Sequence, residues 1–567
     1  MDSLLINLNF FVKLKLHLLV FIINNFIFYQ IKTEPFLSIF NSSNCLCKQQ
    51  NLLDLSINEL LKITKSRRLS QIPPKFSIEQ FEFVGNTVFS DENLTKLVEE
   101  FTKQDITFSQ LLQVEAKINA NYLQAGYINS FAVIPANQNI QNGIVKIQII
   151  EGGIEDIRVT GTQRLAKEYI INRLKIAASR PFNTKNLLKS LQLLQLNPLI
   201  KNITANLTSG TRREESLLEV AIIEDDSFNL TTFVDNSRAP SVGTWRRGIK
   251  ISQGNLSGLG DSLNMAYTNT DGSNALDFSY TIPFNPQNGT IQLASGFTRT
   301  KVTEPPFDRL DITGDSSYYE ISFSHPLLQS ANEELGFGIT ASHQQSKTKL
   351  FAEGFPLSRG ANDNGETRIS AIRLFQNWTK RNPTEVLGLY SQLNLGVGLF
   401  DATTNNELPD SHFISWRGQG QYVRSLNRER DMLFVFRADW QLATESLVPL
   451  EQFSIGGLST VRGYRQDALL TDNGILMKTE LHFPVLRVSD VKGVLSITPF
   501  LDFGIGWNSD NVKLNTNTLI GSGLGLQWQM GEQLKARIDW GIPLTNLKSQ
   551  DRTLQENGLY FSLESRL

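Results

Sequence analysis

The sequence predicts an α+β N-terminal part followed by an all-β part: two β-α-α-β-β repeats, then a sixteen-stranded antiparallel transmembrane β-barrel. Three observations carry this expectation. A short alternating strand that ends in glycine occurs twice, as Phe81-Glu-Phe-Val-Gly-Asn86 and Ile157-Arg-Val-Thr-Gly-Thr162, with Gly85 and Gly161 separated by 76 positions (161 − 85). From Phe228 onward long helical periods vanish, and alternating segments of about ten residues recur, the length a tilted strand needs to cross a bilayer. The connections between those segments alternate between long and short.

The chain begins with an apolar stretch. Lys13 and Lys15 precede His17-Leu-Leu-Val-Phe-Ile-Ile-Asn-Asn-Phe-Ile-Phe-Tyr29, the order of a basic region and an apolar region in a secretory signal. Asn24 and Asn25 interrupt it and no small-x-small cleavage site succeeds it, so residues 1–30 read as a signal-like or anchor segment, or as the product of a misplaced start codon. Residues 31–74 read as a short helix and linker. Ser56 and Glu59 have capping-box spacing, Leu60, Leu61 and Ile63 give an apolar side, and Ile72-Pro73-Pro74 ends the helix. Cys45 and Cys47 are the only cysteines, so no disulfide or thiolate–metal framework supports residues 48–567.

Residues 75–152 and 153–226 form the two repeats. In the first, helix-like patterns at Asn93–Phe101 and Phe108–Leu123 are followed by strands at Ser130–Pro135 and Ile144–Ile150. In the second, helices at Leu165–Leu174 and Thr184–Leu194 precede strands at Ile203–Leu207 and Leu217–Ile223. Such a unit lays two helices on one face of a three-stranded sheet and leaves an edge strand open to another chain.

Residues 227–567 form the barrel. Leu387, Leu389, Leu393, Leu395, Val397 and Leu399 share one face, and Tyr390, Gln392 and Asn394 share the other. Leu534, Ala536, Ile538, Trp540 and Ile542 likewise oppose Lys535, Arg537 and Asp539. Charge opposite Trp and Ile fits a wet lumen behind a lipid face. Connections after odd-numbered segments are long, as at 301–316, 347–368, 401–410 and 545–558, whereas those at 285–289, 380–385 and 530–533 are short. This rim asymmetry favours a membrane barrel over a soluble sandwich. Trp440, Trp507, Trp528 and Trp540 fall on predicted outward faces, at girdle positions.

Between the eleventh and twelfth segments lies Gln452 to Asp467, which holds Gly456, Gly457, Val461, Arg462, Gly463 and Tyr464. Glycines let the segment fold back sharply. Arg462 needs an anionic partner if it leaves water. On the thirteenth segment Phe500, Asp502 and Gly504 alternate with Leu501, Phe503 and Ile505. Asp502 should therefore face the lumen, where a carboxylate needs a cation.

With these marks the chain, over residues 75–567, resembles the outer-membrane pores of two-partner secretion (hemolysin secretion/activation type), within the superfamily that includes the outer-membrane insertases and the chloroplast import channel. The repeats resemble that family's periplasmic POTRA domains, with Gly85 and Gly161 as their turn glycines. The resemblance rests most specifically on Gly456-Gly457 with Val461-Arg462-Gly463-Tyr464, and on Phe500-x-Asp502-x-Gly504. It implies a loop folded into the barrel and an Arg462–Asp502 pair that either braces the wall or acts as a latch. The chain departs from many outer-membrane barrels by ending in Leu567 rather than an aromatic residue.

Charge and motifs narrow the function. With 54 basic against 56 acidic residues, a net charge of −2 and 19% charged residues, no basic field points to nucleic acid. There is no Gly-x4-Gly-Lys loop, no His-Glu-x2-His pair and no nucleophile elbow. His17, His325, His343, His412 and His482 have no ligand spacing. Neither an enzyme nor a cofactor is expected. The expected function is translocation of an unfolded exoprotein, bearing an N-terminal secretion domain, through a monomeric pore in outer-membrane lipid, with the repeats in the periplasm. The competing readings are a barrel insertase or plastid import channel, and a passive solute porin. A Gram-negative cell, cyanobacterial ones included, is the expected host, ahead of a plastid envelope.

Overall fold

The computed structural model describes residues 4–6, 75–136, 138, 140, 142–510, 514–547 and 552–567. The signal-like segment apart from residues 4–6, Cys45, Cys47 and the helix expected after Ser56 lie outside the described residues.

The first repeat contains β2 (Lys75–Ile78), β3 (Gln80–Val84), α1 (Asp91–Val98), β4 (Gln104–Thr107), α2 (Phe108–Ala125), β5 (Phe131–Val133) and β6 (Ile144–Ile150). Ser90 caps α1, and Thr107 and Gln110 form a reciprocal capping box on α2. Leu111, Val114, Ile118 and Tyr122 recur at helical spacing and are buried with Phe81, Phe83, Val145 and Ile147 of the sheet. The three-stranded sheet has the order β3-β6-β5, so β5 ends it. The pairing of β2 with β4 was not expected. Gln104-Asp-Ile-Thr107 is too short and polar to show a period.

The second repeat contains β7 (Gly153–Thr160), α3 (Lys167–Ala177), α4 (Thr184–Gln195), β8 (Ile200–Ser209) and β9 (Glu215–Glu224). Its outer strand is not free as expected: β1 (Leu4–Ile6) pairs antiparallel with β8. In both repeats the glycine after the first strand has a left-handed φ, +92° at Gly85 and +84° at Gly161. An added Cβ would lie 2.5 Å from the Ile149 carbonyl oxygen and 2.2 Å from that of Ile222, respectively.

A glutamate then closes each unit. Glu151 accepts from the backbone N–H groups of Thr87 and Val88, and Glu224 from those of Gln163, Arg164 and Leu165. Burial alone would raise the Glu224 carboxyl, but the N–H donors of Leu165, Gln163 and Arg164 outweigh it and hold it below its usual range. A group with a lowered folded pKa stabilises above its unfolded value and loses that contribution as pH falls through the folded one. The urea midpoint of the repeats should therefore drop between neutral pH and about pH 3, and Glu224→Gln should lower the neutral midpoint while flattening that dependence. An unchanged neutral midpoint would refute the assignment.

Sixteen long antiparallel strands close into a barrel. The first (Phe228–Asp235) and last (Leu559–Arg566) join through five pairs, from Thr231–Arg566 to Asp235–Ser562. Leu567 adds backbone bonds to Leu230, so the aliphatic C-terminus does not interrupt the seam. The alternation matches the sequence: Ile538 and Trp540 are 58% and 53% exposed, while Asp539 between them is 1% exposed. The sixth, seventh and eighth strands, Thr313–Gln329, Glu333–Leu350 and Glu366–Arg381, have 17, 18 and 16 residues. They extend into what reads as loop in the sequence, because 347–349 pair with the sixth strand and 366–368 with the seventh.

Connections after even-numbered strands are short, none longer than that at 255–261. The second repeat sits on this rim. The Ala166 N–H donates to the Gly258 carbonyl at 2.9 Å, and Arg173 Nε donates to Asn288 Oδ1 at 3.0 Å. Gly260 is packed so closely on Tyr169 that a Cβ would lie 2.3 Å from its ring.

Candidate functional site: a loop folded back into the barrel

The eleventh strand (Leu433–Ala443) and the twelfth (Asn473–Val488) are joined by residues 444–472. Within this loop Phe453–Ile455 pairs with Leu469–Thr471 as a two-stranded hairpin. The turn depends on glycine: φ is +116° at Gly456, +101° at Gly457 and +101° at Gly463. The Gly456 N–H donates to Thr460 Oγ1 at 2.8 Å and the Gly457 N–H to the Val461 carbonyl at 3.0 Å. Val461 is buried with Phe453, Ile455, Tyr464 and Leu469 of the loop and with Leu476 and Leu519 of the wall, so the tip shares a small core with the barrel.

Arg462 emerges from this tip almost fully buried, with 1% of its side chain exposed. Its Nε and Nη2 donate to the two oxygens of Asp502, on the thirteenth strand (Gly493–Trp507), at 2.7 and 2.8 Å. This two-pronged fit suits a planar guanidinium and is not available to lysine. The Arg462 backbone N–H adds a third bond to Asp502, at 3.1 Å. The guanidinium carbon lies 3.4 Å from the centroid of the Phe500 ring. The structure thus places the two sequence motifs face to face inside the lumen.

The sequence reading missed the rest of the cluster. Arg462 Nη1 also reaches Asp539 on the fifteenth strand (Leu534–Pro543) at 3.1 Å and Glu480 on the twelfth at 2.6 Å. Arg537 ties those carboxylates together, at 2.7 Å to Asp539 and 3.0 Å to Glu480. Lys478 donates to the Leu458 carbonyl at 3.1 Å. Two guanidiniums, Arg462 and Arg537, therefore pair with three carboxylates, Asp502, Asp539 and Glu480, with the Lys478 ammonium bonded to the loop backbone beside them. Such pairing is what makes buried charge tolerable.

On the closing strand, Tyr560 donates to the Tyr464 carbonyl at 2.6 Å and accepts from the Gly463 N–H at 2.9 Å. Tyr464 in turn donates toward the carbonyls of Ile520 and Thr545, both at 2.9 Å. The facing wall is smooth. A Cβ on Gly504 would meet Ile455 at 2.5 Å, one on Gly521 the Arg462 carbonyl oxygen at 1.9 Å, and one on Gly541 the Gly463 nitrogen at 2.6 Å. Gly504 thus serves as seating for the loop.

This is a network of charge and shape. Among the described residues no group of three or more His, Cys, Asp or Glu side chains is placed to hold a metal. A closed barrel on β-α-α-β-β repeats, with a hairpin pinned inside its lumen by a buried arginine, defines the class of outer-membrane β-barrel transporters.

The comparisons agree. Residues 214–528 match the family described as Haemolysin secretion/activation protein ShlB/FhaC/HecB, and residues 76–152 match the POTRA domain, ShlB-type. The chain belongs to that haemolysin secretion/activation family. The outer membrane transporter CdiB of Escherichia coli is 22% identical over 526 residues, covering 88% of this chain and 85% of CdiB. The heme/hemopexin transporter protein HuxB of Haemophilus influenzae is 23% identical over 500 residues, covering 83% and 84%. The hemolysin transporter protein HpmB of Proteus mirabilis is 22% identical over 488 residues, covering 83% and 82%.

Among solved structures, CdiB from Escherichia coli superposes with a TM-score of 0.68 at 19% identity, covering 92% of this chain and 97% of that one. BamA from Haemophilus ducreyi lacking POTRA domains 1–3 superposes at 0.52 with 13% identity, covering 87% and 100%. These two likenesses bear on the fold. Family membership makes the chain a transporter of exoproteins across the outer membrane.

Proposed function

We propose that residues 75–152 and 153–226 capture an unfolded exoprotein in the periplasm and that residues 227–567 pass it to the surface, with the Arg462 loop as a latch whose position gates the lumen. Residues 1–30 serve export or anchoring and 31–74 tether the repeats. The second repeat sits on the rim of short turns, which supports the reading that this rim faces the periplasm of a Gram-negative cell and the long loops face outward. The end strand of the first sheet, Phe131–Val133, is the capture edge, since backbone pairing tolerates varied side chains. The partner is a secreted protein with an N-terminal secretion domain, and the pore works as a monomer in lipid without nucleotide hydrolysis or any other catalysis. Folding outside supplies the drive.

One observation carries the latch reading. Arg462 lies on a loop rather than a strand, yet its guanidinium reaches carboxylates from the twelfth, thirteenth and fifteenth strands. The test compares cells with and without the protein. A candidate exoprotein should reach the medium only when the pore is present. If export is indifferent to the pore while other outer-membrane barrels fall on its loss, the chain assembles barrels instead and the proposal fails.

A further inference from the structure

Arg462 secures only one end of the loop. Near the other end, Glu451 meets Arg373 of the eighth barrel strand, with Nη2 to Oε1 at 2.6 Å and Nη1 to Oε2 at 3.1 Å. The pair is withdrawn from water, with 10% of the Arg373 and 8% of the Glu451 side chain exposed. The other Arg373 contacts belong to the wall: Nε donates to Ser342 of the seventh strand at 3.1 Å, and Nη1 to Asn394 of the ninth at 2.9 Å. Just before Glu451, Leu447 and Val448 are buried against Ile369, Ala371 and Phe413.

In a closed ring of sixteen strands, the eighth and the sixteenth stand on opposite sides. Arg373 is on the eighth, and Tyr560, which holds Gly463 and Tyr464, is on the sixteenth. The loop leaves the wall at the eleventh strand and is fastened to both sides. We propose that Arg373 and Glu451 are a second anchor, which makes the loop a strap fixed at both ends across the lumen. This deepens the gating function proposed above and rests on it. Releasing Arg462 loosens the tip, which Tyr560 still holds, and leaves the base seated, so clearance also needs the Glu451 contact broken.

The physics assigns a direction. Glu451 lies in the loop, whereas the remaining partners of Arg373 lie in strands. Neutralising Glu451 leaves the wall bonded to itself and takes from a buried arginine its hydrogen-bonded counter-charge, with only Glu320 of the sixth strand as a further acidic neighbour, a penalty on the seated state.

The test is conductance of the full chain in planar bilayers. Arms are wild type, Glu451→Gln, Arg373→Gln, the charge swap Arg373→Glu with Glu451→Arg, and Arg462→Ala; heat-modified gel migration checks that each barrel is folded. Glu451→Gln and Arg373→Gln should raise the fraction of time at the open level about tenfold, and the swap should bring it back to within about threefold of wild type. Restoration by the swap would show that the two charges act through each other rather than through their separate contacts with the wall. If Arg462→Ala raises opening but Glu451→Gln does not, the second anchor is refuted and the gating function stands. If neither changes opening, the gating function fails and takes the anchor with it. Should Arg373→Gln not fold, Glu451→Gln decides alone, since its change lies in the loop.

Discussion

Arg462→Ala is expected to reduce exoprotein in the medium to background while the barrel stays closed and inserted. The arginine contributes two bonds to Asp502, one to Asp539 and one ion pair to Glu480. Removing one partner of a buried pair costs about 3–5 kcal/mol, because the other charge is left uncompensated. The strands keep their own ladders, so the loss falls on loop seating. Arg462→Lys should give partial export, since it keeps the charge but cannot fork onto both Asp502 oxygens. Export from Arg462→Ala at the wild-type level, with equal protein in the membrane, would remove the latch from the mechanism.

Gly521→Ala is expected to act nearly as strongly, without touching any charge. The new methyl would lie 1.9 Å from the Arg462 carbonyl oxygen. The methyl is fixed rigidly to the backbone of the fourteenth strand (Thr518–Met530), and the oxygen belongs to the backbone of the loop. The loop is the softer, so the tip must lift away from the wall. Overpacking of this kind costs about 1–3 kcal/mol, and the lift also lengthens the contacts to Asp502. Gly388→Ala, in the ninth strand, is the control, because nothing lies within 4 Å of a Cβ there and its φ is outside the left-handed region. Export should fall several-fold for the first and remain for the second. Equal export from both would mean that loop seating on the Gly521 wall is unimportant.

Periodic features were legible in the sequence and contacts between distant strands were not. The repeat showed itself because Gly85 and Gly161 punctuate like patterns, and barrel strands because Ile538, Asp539 and Trp540 alternate between lipid and lumen. Arg462 and Asp502 were legible only because each sits in a recognisable motif. Glu480, Asp539 and Tyr560 share the same cluster, but each looks like an ordinary inward residue of its own strand. Only ring closure brings the twelfth, fifteenth and sixteenth strands to one spot. The wall glycines had a signal that was read too weakly: Gly521 and Gly541 occupy lumen positions where a larger residue would ordinarily be found. Glu151 and Glu224 recur where the third strand of each repeat ends and had a spacing from which their shared role was recoverable. The β2–β4 pair had none, because four polar-mixed residues show no period.

The unequal strand lengths affect how the protein stands in its membrane. A strand of 18 residues, tilted by about 40°, rises roughly 45 Å, well beyond the about 25 Å apolar band of an outer membrane. The first and last strands have 8 residues each, fewer than the roughly 9–11 that a crossing normally takes. The rim is therefore uneven: the wall is highest over the sixth to eighth strands, stays high at the twelfth and thirteenth, and falls to a low sill at the seam. Lipid next to that sill must thin to meet it. A polypeptide leaving the pore is screened from the cell surface on one flank and open to it on the other, which gives its departure a preferred side.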